Sequence, residues 1–232
     1  MNEEKTELCI FHRSGSYKKE IKIGESLVVS KKTINILGIK FDENLKWTAH
    51  VENAIRESNQ VLNAIRIIKK FFTLKERIDL VTSLFYSKLY YGAEIWHLPD
   101  LSKNVKKSLK KTSSNALKLC ITNYTQYTTY TEIHKKAKRS PPEDVCLYRH
   151  ALLLHKLINQ HMPENEHFYA NFQLADNNRS SKIVFNKSMS YDVGSNILLN
   201  RFTHLNNKIE KDWMNESFAC YKIKVKKLLL SC

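Results

Sequence analysis

The stretch LGIKFDENLKWTAHV, residues 37–51, contains the transition on which the fold of this 232-residue chain depends. Its first part alternates as strands do, and Gly38 can supply the positive φ that a tight turn between strands needs. From Trp47 onward the apolar residues recur with helical spacing, and Thr48 is available as an N-cap. The stretch therefore predicts a strand pair that turns through Gly38, a turn at Asp42 and then a helix.

Upstream of this stretch, apolar and polar residues alternate in short runs. A period of two is typical of strands with one covered face, so the pattern predicts three or four short antiparallel strands. The runs that carry it are residues 7–11, 20–24, 26–30 and 33–41.

Downstream, apolar residues recur at intervals of three and four, which predicts two helices in succession. The first begins near Trp47, and the second covers residues 75–91, where Gly92 can end it. The stripe that these helices are expected to bury contains Val51, Ile55, Leu62, Ile65, Ile68, Ile78, Val81, Leu84, Phe85 and Leu89.

Much of the rest of the chain is predicted to be helical, apart from a polar, β-prone stretch at residues 122–131 and a segment rich in loops. Residues 101–119 form a candidate helix, and Pro141-Pro142 breaks the chain and opens another that runs from Glu143 to about His161. Helical spacing returns over residues 206–230. Residues 165–200 are predicted to be rich in loops, with one strand-like run at residues 182–185.

These patterns predict an α+β fold that is mostly helical. A small antiparallel sheet region occupies residues 1–46, a basic helical bundle residues 47–140, and a helical C-terminal region residues 141–232.

The charge of the chain favours a polyanionic partner. The net charge is +15, and residues 51–140 carry +10 of it, from 17 basic and 7 acidic side chains. The closest two of the five glycines are nine residues apart, so the chain cannot build a glycine-rich phosphate loop.

Several features predict a soluble intracellular protein of the nucleus or cytoplasm. The N-terminus is charged, and no apolar stretch approaches the roughly 18 to 20 residues that a membrane span needs. The five cysteines are widely spread and form no C-x-x-C pair, which is typical of reduced thiols.

Residues 37–51 resemble the L-G-x-x-x-D-x-x-L-x-W-x-x-H-[IV] signature after the catalytic palm in reverse transcriptases of non-LTR retrotransposons, the jockey-like and LINE-type elements. Three further matches follow the family's order. NEEKTE at residues 2–7 resembles its N-x-x-K-T-[EK] segment, and LVTSL (80–84) with YGAEIW (91–96) resembles its L-Y-x-S-[LI] and Y-G-x-x-x-W pair. YKIKVK at residues 221–226 is similar to its F-K-x-x-L-K close.

The resemblance implies RNA or DNA template-primer as the partner, bound through its backbone. Residues 1–46 would be the end of a palm with a primer grip at Leu37 and Gly38, and residues 47–140 a thumb-like domain. Lys5 matches the family's lysine near the incoming nucleotide. The predicted nucleic-acid-binding residues are Lys5, Leu37, Gly38, Arg66, Lys69, Lys70, Lys106, Lys107, Lys110 and Lys111.

The catalytic centre of that family has no counterpart here. It needs an adjacent aspartate pair in an [FY]-x-D-D turn to hold two metal ions, whereas this sequence has no adjacent aspartates and no aspartate before Asp42. We therefore expect the back half of such an enzyme, without catalytic residues or polymerisation of its own and with a structural role for Asp42. No cofactor is expected in this chain, and Mg²⁺ only in a full-length family member.

Each functional interpretation has a structural alternative. The lysines can form solvated helix faces, and Trp47 and His50 can belong to the core instead of stacking on bases. Cys146, His150, His155 and His161 suggest zinc, but their spacing lacks a second cysteine pair, so we predict no metal site. The chain can also be a non-catalytic protein-interaction module, or a remnant protein, derived from such an element.

Overall fold

The computed structural model describes residues 6–12, 17–97, 101–121, 129–159, 202, 205 and 207–230. Within them the fold is α+β and mostly helical, as predicted, with two small antiparallel sheets ahead of a helical body. Lys5 and residues 165–200, with the strand-like run at 182–185, lie outside the described residues.

Within the described residues, four strands form two separate hairpins. They are β1 (Glu20–Ile23) with β2 (Ser26–Val29), and β3 (Thr33–Ile36) with β4 (Ile39–Asp42). The run at residues 7–11 forms no strand, because its backbone pairing is one isolated bridge between Leu8 and Ser30, just beyond the end of β2.

Eight α-helices follow in the described residues. They are α1 (Thr48–Ile68), α2 (Leu74–Leu80), α3 (Ser87–Leu89), α4 (Ala93–Trp96), α5 (Lys103–Cys120), α6 (Tyr130–Ala137), α7 (Pro142–Ile158) and α8 (Phe218–Leu229). A π segment (Val81–Tyr86) joins α2 to α3, and 3₁₀ turns cover Lys69–Phe71 and Lys211–Asn215. The sequence patterns did not predict α6, which begins with a capping box between Thr129 and Glu132.

The turn into α1 is organised by Asp42. Its carboxylate accepts the backbone N–H of Asn44 at 3.2 Å, of Lys46 at 2.9 Å and of Trp47 at 2.7 Å. Trp47, at φ 62°, is the cap residue, and Thr48 is already helical. The predicted Thr48 cap is therefore wrong, because the Asp42 side chain satisfies the backbone donors before the helix.

The core of the helical body largely follows the predicted stripe. Val51, Leu62 and Ile65 are buried from α1, whereas Ile68 is exposed at its end. Leu84 is also exposed, by 48%, although it was predicted to be buried. The cause is the π segment, in which each turn holds more residues than an α turn, so that burial falls on Val81, Phe85 and Leu89.

A second buried cluster joins α7 to α8. Leu154 packs with Tyr221 and Val225, and the Tyr221 hydroxyl donates a hydrogen bond to the Ala151 carbonyl at 3.0 Å. This contact holds the last described helix against α7. No helix in the described part of the chain is long and apolar enough to cross a membrane.

Candidate nucleic-acid interface

The tip of the β3–β4 hairpin presents the two predicted primer-grip residues. Leu37 and Gly38 occupy the turn at φ 50° and φ 82°, and Leu37 is 87% exposed. The Tyr91 hydroxyl donates a hydrogen bond to the Leu37 carbonyl at 3.2 Å. The hairpin tip is therefore fixed to the helical body through the second motif segment, residues 91–96.

A close backbone approach explains the glycine of that segment. Gly92 has φ 61°, and a Cβ atom placed there would lie 2.5 Å from Ile39 Cδ1. Ile39 is itself 4% exposed and belongs to the core. Residues 37–39 and 91–92 therefore contact each other directly, at a position that only glycine fits without displacement.

Trp47 and His50 belong to the core. Both are nearly inaccessible, and the His50 ring lies 5.3 Å from the Trp96 ring, centroid to centroid. His50 Nδ1 accepts the backbone N–H of Lys40 at 3.2 Å, and burial lowers the pKa of the imidazole. These rings therefore hold the hairpin against α1, and stacking on nucleic acid is not their role.

A cavity of 770 Å³ lies between the β3–β4 hairpin, α1 and α3. We call it the hairpin groove, and its walls include Leu37, Gly38, Tyr91 and His50, whose Nε2 has no hydrogen-bond partner. On the α3 side, Lys88 pairs with Glu57 at 3.0 Å, and this hydrogen bond lowers the pKa of the Glu57 carboxyl. The groove therefore has an apolar wall and an ion pair whose two charges balance each other.

The three cations predicted at the end of α1 lie around the 3₁₀ turn that follows it. Arg66 donates to the Asn63 side chain at 3.0 Å, and Lys70 Nζ lies 5.0 Å from the Phe71 ring centroid. Burial raises the pKa of the Cys120 thiol to about 11, and the nearby charges of Arg77 and Lys69 partly oppose this shift. The Cys120 thiol donates to the Arg77 carbonyl at 3.4 Å, so the C-terminal end of α5 lies against α2, the helix that follows these cations.

The four lysines predicted on α5 lie on its exposed side. The opposite side buries Val105, Leu109, Ala116 and Leu117. The helix contains six lysines and no acidic residue, and its exposed lysines include Lys106, Lys107, Lys110 and Lys111. Lys110 reaches across to α7, where its Nζ lies 3.5 Å from a carboxylate oxygen of Glu143.

The predicted cations form two separate groups. One group lies around the turn between α1 and α2, and the Cys120 end of α5 contacts α2, whereas Lys110 contacts Glu143 on α7. Cys120 follows Lys110 by ten residues, which is about 15 Å along the axis of α5. A backbone that contacts both groups must therefore follow the length of this helix.

A third group of cations was not predicted as a site. Lys138, Arg139, Arg149 and Lys226 line a cavity of 480 Å³, which we call the basic cavity. Only part of this group could be found from the sequence. The basic run at residues 135–139 is visible there, whereas the place of Lys226 on the same cavity depends on how α8 packs on α7.

Cys146, His150 and His155, three of the four residues considered for zinc, are buried among other side chains. Burial raises the pKa of the Cys146 thiol, and His155 Nε2 lies 3.0 Å from the Glu216 carbonyl oxygen. His161 lies outside the described residues. Among the residues that are described, no group of three His, Cys, Asp or Glu side chains is placed to hold a metal ion.

Comparison with known proteins gives no further support for a family. No family model, no curated protein and no solved structure matches the chain. The resemblance to non-LTR reverse transcriptases therefore depends on the sequence motifs alone.

Proposed function

We propose that this chain is a C-terminal, non-catalytic part of a non-LTR retrotransposon reverse transcriptase and binds the backbone of an RNA or DNA template-primer. It acts inside the cell, in the nucleus or cytoplasm. It needs no cofactor for this binding, and it does not polymerise by itself.

The observation that carries the proposal is the lysine side of α5. Lys106, Lys107, Lys110 and Lys111 are exposed on a helix without acidic residues. Their spacing of i, i+1, i+4 and i+5 gathers them along one edge, which suits consecutive phosphates because phosphate contacts need long cations more than fixed geometry. The cations near the end of α1 would extend this edge to the other end of α5.

The contact between the two motif segments supports the origin of the chain. Residues 37–51 and 91–96 carry the most specific part of the resemblance, and they meet through Tyr91 with Leu37 and Gly92 with Ile39. The proposed primer grip is the exposed turn of Leu37 and Gly38 beside the hairpin groove. In this proposal a primer strand passes the hairpin tip and the α5 edge contacts the duplex.

The test is the salt dependence of binding to a labelled RNA–DNA duplex, measured by fluorescence anisotropy. If about five phosphates are neutralised, log K should fall with log salt at a slope of roughly −4.5, with little dependence on sequence. The charge reversal Lys106→Glu with Lys107→Glu should flatten the slope by about two units.

The matched control is Lys18→Glu with Lys19→Glu, an adjacent exposed pair beside β1 that undergoes the same change in charge. Its slope should stay close to that of the unmodified chain. Equal changes in the salt slope for the two double variants would mean that binding depends only on net charge, and they would contradict the proposed interface. A primer-extension assay with Mg²⁺ or Mn²⁺ tests the non-catalytic part, and synthesis above a no-protein control would contradict it.

A second candidate function, binding of another protein, is favoured by an apolar patch between α1 and α2. Ile67 and Phe71 are each about three quarters exposed, and Ile68 and Leu74 lie beside them in the sequence and are also exposed. Exposed apolar clusters mark protein-interaction surfaces. Binding to a partner through this patch would depend only weakly on salt, which distinguishes it from the first candidate.

A further inference from the structure

The basic cavity lies between the π segment, the turn from α6 to α7, and the end of α8. It shares no lining residue with the predicted nucleic-acid-binding set. Four of its lining side chains are cationic, namely Lys138, Arg139, Arg149 and Lys226, and none of the described lining residues is acidic. It is a separate concentration of positive charge from the α5 edge.

Two of these cations are compensated and two are not. Arg139 pairs with Asp79 at 2.5 Å, and Arg149 lies 3.6 Å from Glu94 while donating to the Tyr90 carbonyl at 3.1 Å. Neither Lys138 nor Lys226 makes an ion pair within the described part of the chain. Two cations that line the cavity are therefore without an ion-pair partner among the described residues, and their charge matches the roughly −1.5 to −2 charge of a phosphate monoester.

Arg139, which lines the cavity, also has an unused donor. Arg139 binds Asp79 through Nη2, and its Nε is buried without a hydrogen-bond partner. An unsatisfied buried donor is costly, and a planar guanidinium with one free N–H suits a phosphate oxygen. Ligand binding would remove this cost.

The walls are held in place by local structure. Lys138 caps α6 at φ 50°, and its N–H bonds the carbonyls of His134 and Lys135. The Ser140 hydroxyl donates to the Leu230 carbonyl at 3.4 Å, which ties the end of α8 to the turn. Lys138 and Lys226, 88 positions apart in the sequence, are thus presented on one cavity.

The size of the cavity calls for more than a phosphate group. Its volume of 480 Å³ lies within the range of about 300 to 1,000 Å³ that is typical of small-molecule sites. Tyr86, Val145 and Leu230 supply apolar wall, and burial raises the pKa of the Tyr86 phenol, so this group adds no negative charge near neutral pH. An organic group can therefore lie beside the cations.

We infer that the basic cavity binds a phosphate monoester carried on an organic group of nucleotide size, with Lys138, Lys226 and Arg139 contacting the phosphate. Two sources supply this chemistry: a free nucleotide, and the 5′-phosphate at the end of a nucleic-acid strand.

The test is isothermal titration calorimetry of the full chain with adenosine 5′-monophosphate and with adenosine. The monophosphate should bind at least about ten-fold more tightly, and Lys138→Ala with Lys226→Ala should remove about ten-fold or more of its affinity. Arg139→Lys keeps the charge and removes Nε, so it should also weaken binding. The control is Lys135→Ala with Lys222→Ala, exposed lysines on the same two helices that do not line the cavity.

A second pair of ligands separates the two sources. Tighter binding of a 5′-phosphorylated oligonucleotide than of its 5′-hydroxyl form, lost in the Lys138 and Lys226 variant, identifies a strand end. Monophosphate binding without that difference identifies a free nucleotide.

Two results would overturn the inference: equal binding of monophosphate and adenosine with equal binding of both oligonucleotides, or equal losses in the cavity and control variants. Unchanged circular dichroism confirms that each variant folds. Lys106→Glu with Lys107→Glu should leave monophosphate affinity unchanged, so that this inference and the proposed backbone interface fail independently.

Discussion

Replacing Gly92 with alanine tests the contact that joins the two motif segments. The substitution adds one methyl group at φ 61°, where it would lie 2.5 Å from Cδ1 and 3.2 Å from Cγ1 of Ile39. A separation of 2.5 Å is far below van der Waals contact, so Ile39 or the backbone must move. Because Ile39 anchors β4 in the core, this movement loosens the hairpin that presents Leu37 and Gly38.

The expected loss of stability has two parts. Holding a residue other than glycine in the left-handed region costs about 1 to 2 kcal/mol. Forcing an extra methyl group into a packed site costs about 1 to 3 kcal/mol. The sum is about 2 to 5 kcal/mol, a large share of the roughly 5 to 15 kcal/mol by which a domain is stable.

The measurement is equilibrium unfolding in urea, followed by circular dichroism, for three variants and one double variant. Gly24→Ala is the control, because Gly24 has φ 60° in an exposed turn and should show only the backbone cost. Ile39→Val removes Cδ1, the atom in the closest contact, and should cost about 0.5 to 1.5 kcal/mol by itself. In the double variant with Gly92→Ala, the overlap is relieved and the two losses should sum to about 1 kcal/mol less than additivity.

Two results would refute this reasoning. One is a loss for Gly92→Ala no larger than that for Gly24→Ala. The other is strict additivity of Gly92→Ala and Ile39→Val, which would mean that the two residues do not touch.

Two further predictions concern the core and its histidines. Phe85→Ala should cost about 3 to 5 kcal/mol and Leu84→Ala less than about 1 kcal/mol, since Phe85 is fully buried in the π segment and Leu84 is half exposed. Unfolding midpoints lowered by similar amounts would instead indicate a regular α-helix, in which both residues were predicted to be buried. Burial lowers the pKa of His50 in the folded chain, so the unfolded chain takes up a proton first as the pH falls through about 6.5. The contribution of His50 to the free energy of unfolding should therefore be full above that pH. Below it, this contribution should decline by at most about 1.4 kcal/mol per pH unit. The urea midpoint should fall less steeply with falling pH in the His50→Asn variant, whose amide oxygen can still accept the Lys40 N–H. If the midpoint falls equally steeply in both proteins, groups other than His50 cause the pH dependence.

The sequence predicts those parts of the fold that depend on local periodicity and turn chemistry. The turn at Gly38 and helices α1 and α5 follow from alternation, from helical spacing and from the conformational freedom of glycine. The prediction that Leu84 is buried was wrong because a π turn contains more residues than an α turn, and the spacing of the apolar residues does not reveal this difference. Helix α6 was missed because its capping box lies beside a polar, β-prone stretch.

In the candidate sites too, the sequence predicts arrangements within one helix but not arrangements that depend on tertiary packing. The lysines of α5 are neighbours on one helix, so their common edge follows from their spacing. The approach of Lys226 to Lys138 depends on tertiary packing of α8 against α7, which no local pattern encodes. The separation of the α1 and α5 cations likewise depends on tertiary packing, which places the Cys120 end of α5 beside Arg77 of α2.

The bond between the Tyr91 hydroxyl and the Leu37 carbonyl has a consequence for the order of folding. It joins residues 54 positions apart, and closing a loop of that length in a disordered chain costs about 3.5 kcal/mol in entropy. The β3–β4 turn, by contrast, joins Ile36 to Ile39, so the loop that must close is very short. We expect the hairpin to form locally and to reach Tyr91 only after α1, the π segment and α3 have packed and shortened the path between them. The hairpin groove is then among the last features to form as the chain folds.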